Sequence, residues 1–245
     1  MKWATMIIPR VSHLSSLHLV ELCLPPTFPA HLQSLSSLCQ LVIRGCCLAA
    51  NTSFDQCHYL ITRLHIEGLC WHDHTSRSFE LIRTCPEVEH LKLDWFCYLY
   101  DENPCLPVNL TSLVVLPPLL SSSECVSRSA LSMLGHCLSS LSTISTFLVE
   151  GTSPPVVDVD YSKTLLPPSL TKFVGPSTFL SLAGPCHVGL REVALTDDDL
   201  SLSYIMSMLP LLPDTRSFRA HVNELASFLC ERERKEFNGH SNQPI

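Results

Sequence analysis

The chain has 245 residues, of which 46% are apolar and 16% charged, and it carries a net charge of −7 with a pI near 5.9. That is ample apolar material for the packed core of one or at most two domains, and it excludes a chain that is disordered away from its ends. The acidic balance supplies no basic field to draw the protein onto nucleic acid or an anionic membrane, and no stretch approaches the roughly 18 uninterrupted apolar residues of a membrane span.

Taken in order, residues 1–10 imitate a signal peptide, but the apolar run stops at Pro9 and no small-x-small cleavage site follows. Residues 1–13 read as the tail of something longer, because a strand pattern, Leu14/Leu17/Leu19, begins almost at once. Pro25, Pro26 and Pro29 make a turn, and Phe28, Leu32, Leu35 and Leu38 predict a helix over 27–38. Strands follow over 38–45 and 61–69. After a loop at 70–74, Ser76 is the expected N-cap of a helix over 77–85. The next strands are 88–95 and 110–116, separated by a turn-rich loop at 101–107.

Residues 121–138 form the longest helical candidate. Beyond them 141–149 offers a strand without clean spacing, and 152–168 is a Pro-containing acidic loop. Strands resume at 170–175 and 189–196, with a short return over 177–182. Asp197, Asp198 and Asp199 are expected to cap a helix over 200–209, their charge complementing its N-terminal dipole. A strand at 215–221, a helix at 223–236 and a frayed tail end the chain. The domain reading is one unit over 1–222, irregular around 139–168, and a capping helix with tail over 223–245.

One apolar pattern recurs through these strands, three residues at spacing three then two. It is clearest at Val88/Leu91/Leu93 and repeats at Leu14/Leu17/Leu19, Leu38/Leu41/Ile43, Ile61/Leu64/Ile66, Leu110/Leu113/Val115 and Leu190/Val193/Leu195. Degraded copies stand at Leu170/Phe173/Gly175 and Thr215/Phe218/Ala220. The middle residues 17, 41, 64, 91 and 113 lie 24, 23, 27 and 22 positions apart, within the leucine-rich-repeat period of about 20–29 residues. No such unit buries its apolar face without its neighbour. The expected fold is therefore α/β, a leucine-rich-repeat solenoid with a curved parallel sheet on its concave side and helices and irregular segments on its convex side.

The run Ile82-Arg83-Thr84-Cys85-Pro86-Glu87-Val88-Glu89-His90-Leu91-Lys92-Leu93 resembles the repeats of F-box leucine-rich-repeat proteins, whose helices end in a Cys-Pro pair before the strand. Residues 166–182 are similar to later repeats of the large fungal F-box-like families. The resemblance implies the substrate-recognition repeats of a ubiquitin-ligase receptor, or a fragment of one. The Leu-Pro-x-Glu helical motif of an F-box has no room in residues 1–10, so docking to a Skp-type adaptor would need a further N-terminal segment. The implied compartment is cytoplasmic or nuclear, and the alternative reading is an extracellular repeat receptor or adhesion protein.

Side chains alternate along a strand, so residues flanking the second and third apolar positions should face a partner. In the early units these are His18, Gln40, Arg44, Arg63, His65, Glu67, His90, Lys92 and Asp94, a mixed strip with a cationic lean. The later units offer Ser112, Val114, Leu116, Val174 and Ala194. A protein partner is expected on this face, polar groups orienting it and the apolar half anchoring it.

Patterns that would carry chemistry are weak. The thirteen cysteines include no Cys-x-x-Cys pair and read as reduced, mostly interior thiols. Cys70, His72 and His74, near Cys57 and His58, lack the paired spacing of a structural zinc site. Ser169 and Lys172 match Ser-x-x-Lys but fall in a strand pattern, without companion motifs. The expectation is a non-enzymatic chain with no cofactor. Two glycosylation sequons begin at Asn51 and Asn109 and matter only in a secreted chain.

Overall fold

A computed structural model of the chain describes residues 13–71, 78–94, 106–116, 138, 141–150, 166–180, 189–198 and 200–221. Among the described residues nine strands form one sheet: β1 (Ser16–Val20), β3 (Gln40–Arg44), β5 (Arg63–Glu67), β7 (His90–Asp94), β8 (Ser112–Leu116), β9 (Thr146–Val149), β10 (Lys172–Gly175), β11 (Glu192–Leu195) and β12 (Ser217–Arg219). Every pairing is parallel, and the strands lie side by side in chain order. Three two-residue strands, β2 (Cys23–Leu24), β4 (Cys47–Leu48) and β6 (Cys70–Trp71), make a second parallel sheet that the apolar spacing did not foretell.

The apolar triple explains the register. Leu17, Leu41, Leu64, Leu91, Leu113, Phe147, Phe173, Val193 and Phe218 are paired in one row across all nine strands, and those from Leu41 to Val193 are at most 2% exposed. A slip of one residue would turn each apolar set outward, so this row fixes the pairing. Each such side chain contributes about 1.5–3 kcal/mol relative to leaving it in water. In β9, β10 and β12 phenylalanine takes the middle position, and in β11 valine. The Phe147 ring lies 5.9 Å from Phe173 and 6.3 Å from Phe179.

A second row of side chains ties the units together. Thr62, Thr111, Ser145, Thr171 and Thr215 donate hydroxyls to the carbonyls of Cys39, Glu89, Thr111, Ser145 and Leu190, each in the preceding unit, at 3.0–3.3 Å. Their backbone N–H groups make matching bonds to the same carbonyls in the first four cases.

Among the described residues the helices of the return segments are short. The expected helix over 27–38 is only α1 (Phe28–Gln33), which tolerates Pro29 in its first turn. Ser34 ends it, its hydroxyl donating to the His31 carbonyl at 2.7 Å. Phe28 packs edge-on against Phe54 with centroids 6.5 Å apart, and the Tyr59 hydroxyl donates to the Pro29 carbonyl at 3.1 Å. The other helices with both ends among the described residues are α2 (Ser78–Arg83), α3 (Ser177–Leu180) and α4 (Leu202–Met208), the last continued by a 3-10 turn at Leu209–Leu211.

Two expectations need correction. The segment 141–149 does keep the spacing, as Ile144/Phe147/Val149, all buried, and β9 joins β8 to β10 without a break. The irregularity is a matter of length: 34 positions separate Ser145 from Thr111, whose carbonyl it bonds. The cap of α4 is also not an aspartate. Ser201 accepts from the Tyr204 N–H at 3.2 Å, whereas Asp197 turns back to accept the Ser177 N–H at 2.6 Å. The expected helix over 223–236 and the loop over 152–165 lie outside the described residues, as does the helix over 121–138 except for Leu138. No helix among the described residues is long and apolar enough to cross a membrane.

Candidate binding face

The side of the sheet opposite the apolar row carries three parallel rows of side chains. The central row runs His18, Val42, His65, Lys92, Val114, Leu148, Val174, Ala194 and Arg219, each paired with the next. A row on one flank includes Gln40, Arg63 and His90 as consecutive partners, continuing through Ser112, Thr146, Lys172 and Glu192. On the other flank Val20, Arg44 and Glu67 are consecutive, and Asp94 pairs with Leu116. His18, Arg44, Arg63 and His90 are exposed, and Gln40, His65, Glu67 and Lys92 are half-buried.

Eight of the nine expected residues thus reach solvent on this face, and Asp94 does not. It is 4% exposed, and its carboxylate accepts the backbone N–H of Gly68. A strand-end carboxylate beside a turn with a free amide finds a better partner there than in water.

The cationic lean is smaller than the residue types imply. Arg44 makes a two-pronged contact with Glu67, at 2.7 Å from Nε and 3.4 Å from the guanidinium's outer nitrogen. Lys92 reaches across the intervening strand to Glu150 at 2.8 Å, and Lys172 lies 3.0 Å from Glu192. His65 Nε2 is 3.2 Å from the Glu67 carboxylate, yet the alignment makes no hydrogen bond and leaves that nitrogen buried without one. Burial above all, then the positive charges of Lys92 and Arg44, hold the imidazole below its ordinary range against the opposing pull of Glu67.

Past these pairs the central row becomes apolar, with Val114, Leu148, Val174 and Ala194 half-buried in succession. Leu148, Thr146 and Glu150 were missed in the sequence because the Ile144/Phe147/Val149 triple went unread. Arg219 was missed because its triple is degraded.

The weaker chemical candidates come apart. The Ser169 hydroxyl donates to the Ile144 carbonyl at 2.7 Å, and Lys172 is held by Glu192. Cys70 opens β6, whereas His72 and His74 lie outside the described residues. Among the described residues no three His, Cys, Asp or Glu side chains converge as metal ligands. The seven described cysteines, Cys23, Cys39, Cys46, Cys47, Cys57, Cys70 and Cys85, are free thiols. Comparison with known families and with characterised proteins finds no match to the chain.

Proposed function

We propose that the chain is a leucine-rich-repeat module that binds another protein on the open face of its nine-stranded sheet and performs no chemistry of its own. The observation that carries this reading is the central row. Parallel sheets ordinarily have both faces covered, yet here Val114, Leu148, Val174 and Ala194 stay half-exposed between Lys92 on one side and Arg219 on the other. An apolar strip rimmed by polar groups is the anatomy of a protein-binding surface.

The partner is a protein segment that lays apolar side chains on this strip and polar ones on its rim. The repeat resemblance around Cys85-Pro86 gives the specific form, the substrate-reading part of an F-box-type ubiquitin-ligase receptor in the cytoplasm or nucleus. A Skp-type adaptor would enter only through an F-box segment outside this chain. The test is co-purification of the chain's partner with Leu148→Asp and Val174→Asp variants, beside Leu60→Asp, whose site is 60% exposed elsewhere on the surface. Loss of the partner in the first two and retention in the third supports the reading. Retention in all three contradicts it.

A second reading, an extracellular repeat receptor, draws on the exposure of Asn51 and Asn109, the acceptor positions of both sequons. Absence of glycan from the secreted product would dismiss it.

A further inference from the structure

Cys23, Cys47 and Cys70 open the three short strands and stand in register, Cys23 beside Cys47 and Cys47 beside Cys70. The residues that follow the first two, Leu24 and Leu48, are buried. Alternation along a strand therefore sets the cysteines on the other face. Cys23 is exposed and Cys47 and Cys70 are half-buried. The sulfurs of Cys47 and Cys70 are 2.9 Å apart, and the Cys70 sulfur also lies 3.7 Å from the Cys46 carbonyl. Paired strands sit about 4.7–4.9 Å apart, inside the about 4.4–6.8 Å between Cα atoms that a disulfide spans.

We infer that Cys47 and Cys70 are a dithiol modification site, closing to a disulfide under a hydroperoxide and reopening under a small-molecule thiol. In closure, one thiol loses its proton and its thiolate attacks a peroxide oxygen. An S–O bond forms, the O–O bond breaks, and hydroxide leaves and is protonated. The second thiol, deprotonated in turn, displaces the sulfenic hydroxyl, so that an S–S bond forms and a second water departs. Two thiols and one hydrogen peroxide become one disulfide and two waters. Reopening takes two small thiols, the first forming a mixed disulfide and the second releasing it as their own disulfide.

Placement gives the site its consequence. Cys47 follows Arg44 by three positions and Cys70 follows Glu67 by three, so the bond would tie together the two units that carry the Arg44–Glu67 pair at the edge of the binding face. Cys23, exposed and in register with Cys47, offers the entry for exchange. Burial first, and then the hydrogen bond with Cys47, push the Cys70 thiol up to about 11. Because the thiolate is the reacting form, closure should accelerate as pH rises.

The experiment treats the full chain with hydrogen peroxide, alkylates the remaining thiols and maps the peptides with fragment resolution, once folded and once in guanidinium. The expected result is a Cys47–Cys70 link that dominates every other pairing in the folded protein, is reversed by dithiothreitol, and loses its dominance in guanidinium. Cys70→Ser should abolish it, and Cys23→Ser/Cys70→Ser, which also removes the other thiol in register with Cys47, should leave a sulfenic acid on Cys47 that dimedone traps; should those variants not fold, the native and denatured maps of the wild type still decide. Persistent alkylation of Cys47 and Cys70 after Cys23 is oxidised, a Cys23–Cys47 link in place of the expected one, or equal pairing in both conditions would each overturn the assignment.

Discussion

Asp94, at the end of β7, reaches back 26 positions to accept the backbone N–H of Gly68, the residue just past the end of β5. The bond joins one unit's strand end to the preceding unit's turn. Asp197 does the same for Ser177 across 20 positions. Both carboxylates are buried, at 4% and 9% exposed, so removing one leaves a part-buried amide at Gly68 or a buried one at Ser177 without that partner. Asp94→Ala should cost about 1–3 kcal/mol, read as a lower urea midpoint. Asp94→Asn, which keeps an acceptor oxygen, should lose less. Equal midpoints for wild type and Asp94→Ala would show that water satisfies Gly68 as well as the carboxylate does.

Glu21, Gly45 and Gly68 occupy equivalent positions after the first three strands of the large sheet and share left-handed backbone, with φ of 52°, 57° and 61°. Glycine adopts this freely, whereas a residue with a Cβ is held there at about 1–2 kcal/mol. Replacing Glu21 with Gly should therefore raise stability by up to about 1 kcal/mol after the greater chain entropy of glycine is subtracted. Gly45→Ala should lower it by about 1 kcal/mol, its Cβ meeting Glu21 Cγ at only 3.4 Å and so suffering mainly the backbone cost. Thermal melts of both variants decide the matter, and a destabilised Glu21→Gly would show that the Glu21 side chain makes contacts worth more than the strain.

His65 makes stability depend on pH. Its folded-state proton affinity is lowered by burial and by Lys92 and Arg44, so the unfolded chain binds the proton first as pH falls through about 6.5. The unfolded state then holds more protons than the folded one, and stability declines with falling pH until the folded imidazole also titrates. Above that window its contribution is fully retained. Urea melts at about pH 7.5 and about pH 5.5 should show a smaller loss in His65→Gln than in the wild type, and an equal loss would place the effect on other histidines.

Much of this architecture was legible because a parallel ladder in chain order repeats its demands: each strand must bury the same two positions, and Leu41, Leu64, Leu91 and Leu113 announce it. What escaped was set between units. Asp94 carries the charge of a surface residue, but its partner is a backbone amide in another unit, which no local pattern encodes. The Asp197 to Asp199 cluster looked like a helix cap for the same reason. Ile144/Phe147/Val149 satisfies the spacing, but the 34 positions from Thr111 to Ser145 put it outside the period of the earlier units. The cysteine column had a signal of its own. Cys23, Cys47 and Cys70 each stand four positions past the third apolar residue of a triple, Leu19, Ile43 and Ile66, and Cys97 holds that offset from Leu93. That periodicity follows the repeat and not any metal or disulfide motif.

The central claim is that partners meet this protein on the open face of the large sheet. Its most direct measurement is site-specific photo-crosslinking in cells, with the reactive side chain placed at Leu148 or Val174 on the apolar strip and at Val108 or Leu60, which are 73% and 60% exposed away from it. The account predicts a discrete protein adduct at Leu148 and Val174, weakened by Lys92→Glu at the strip's edge, and none at Val108 or Leu60. Adducts of equal yield at all four positions, or at the two outlying positions alone, would contradict it.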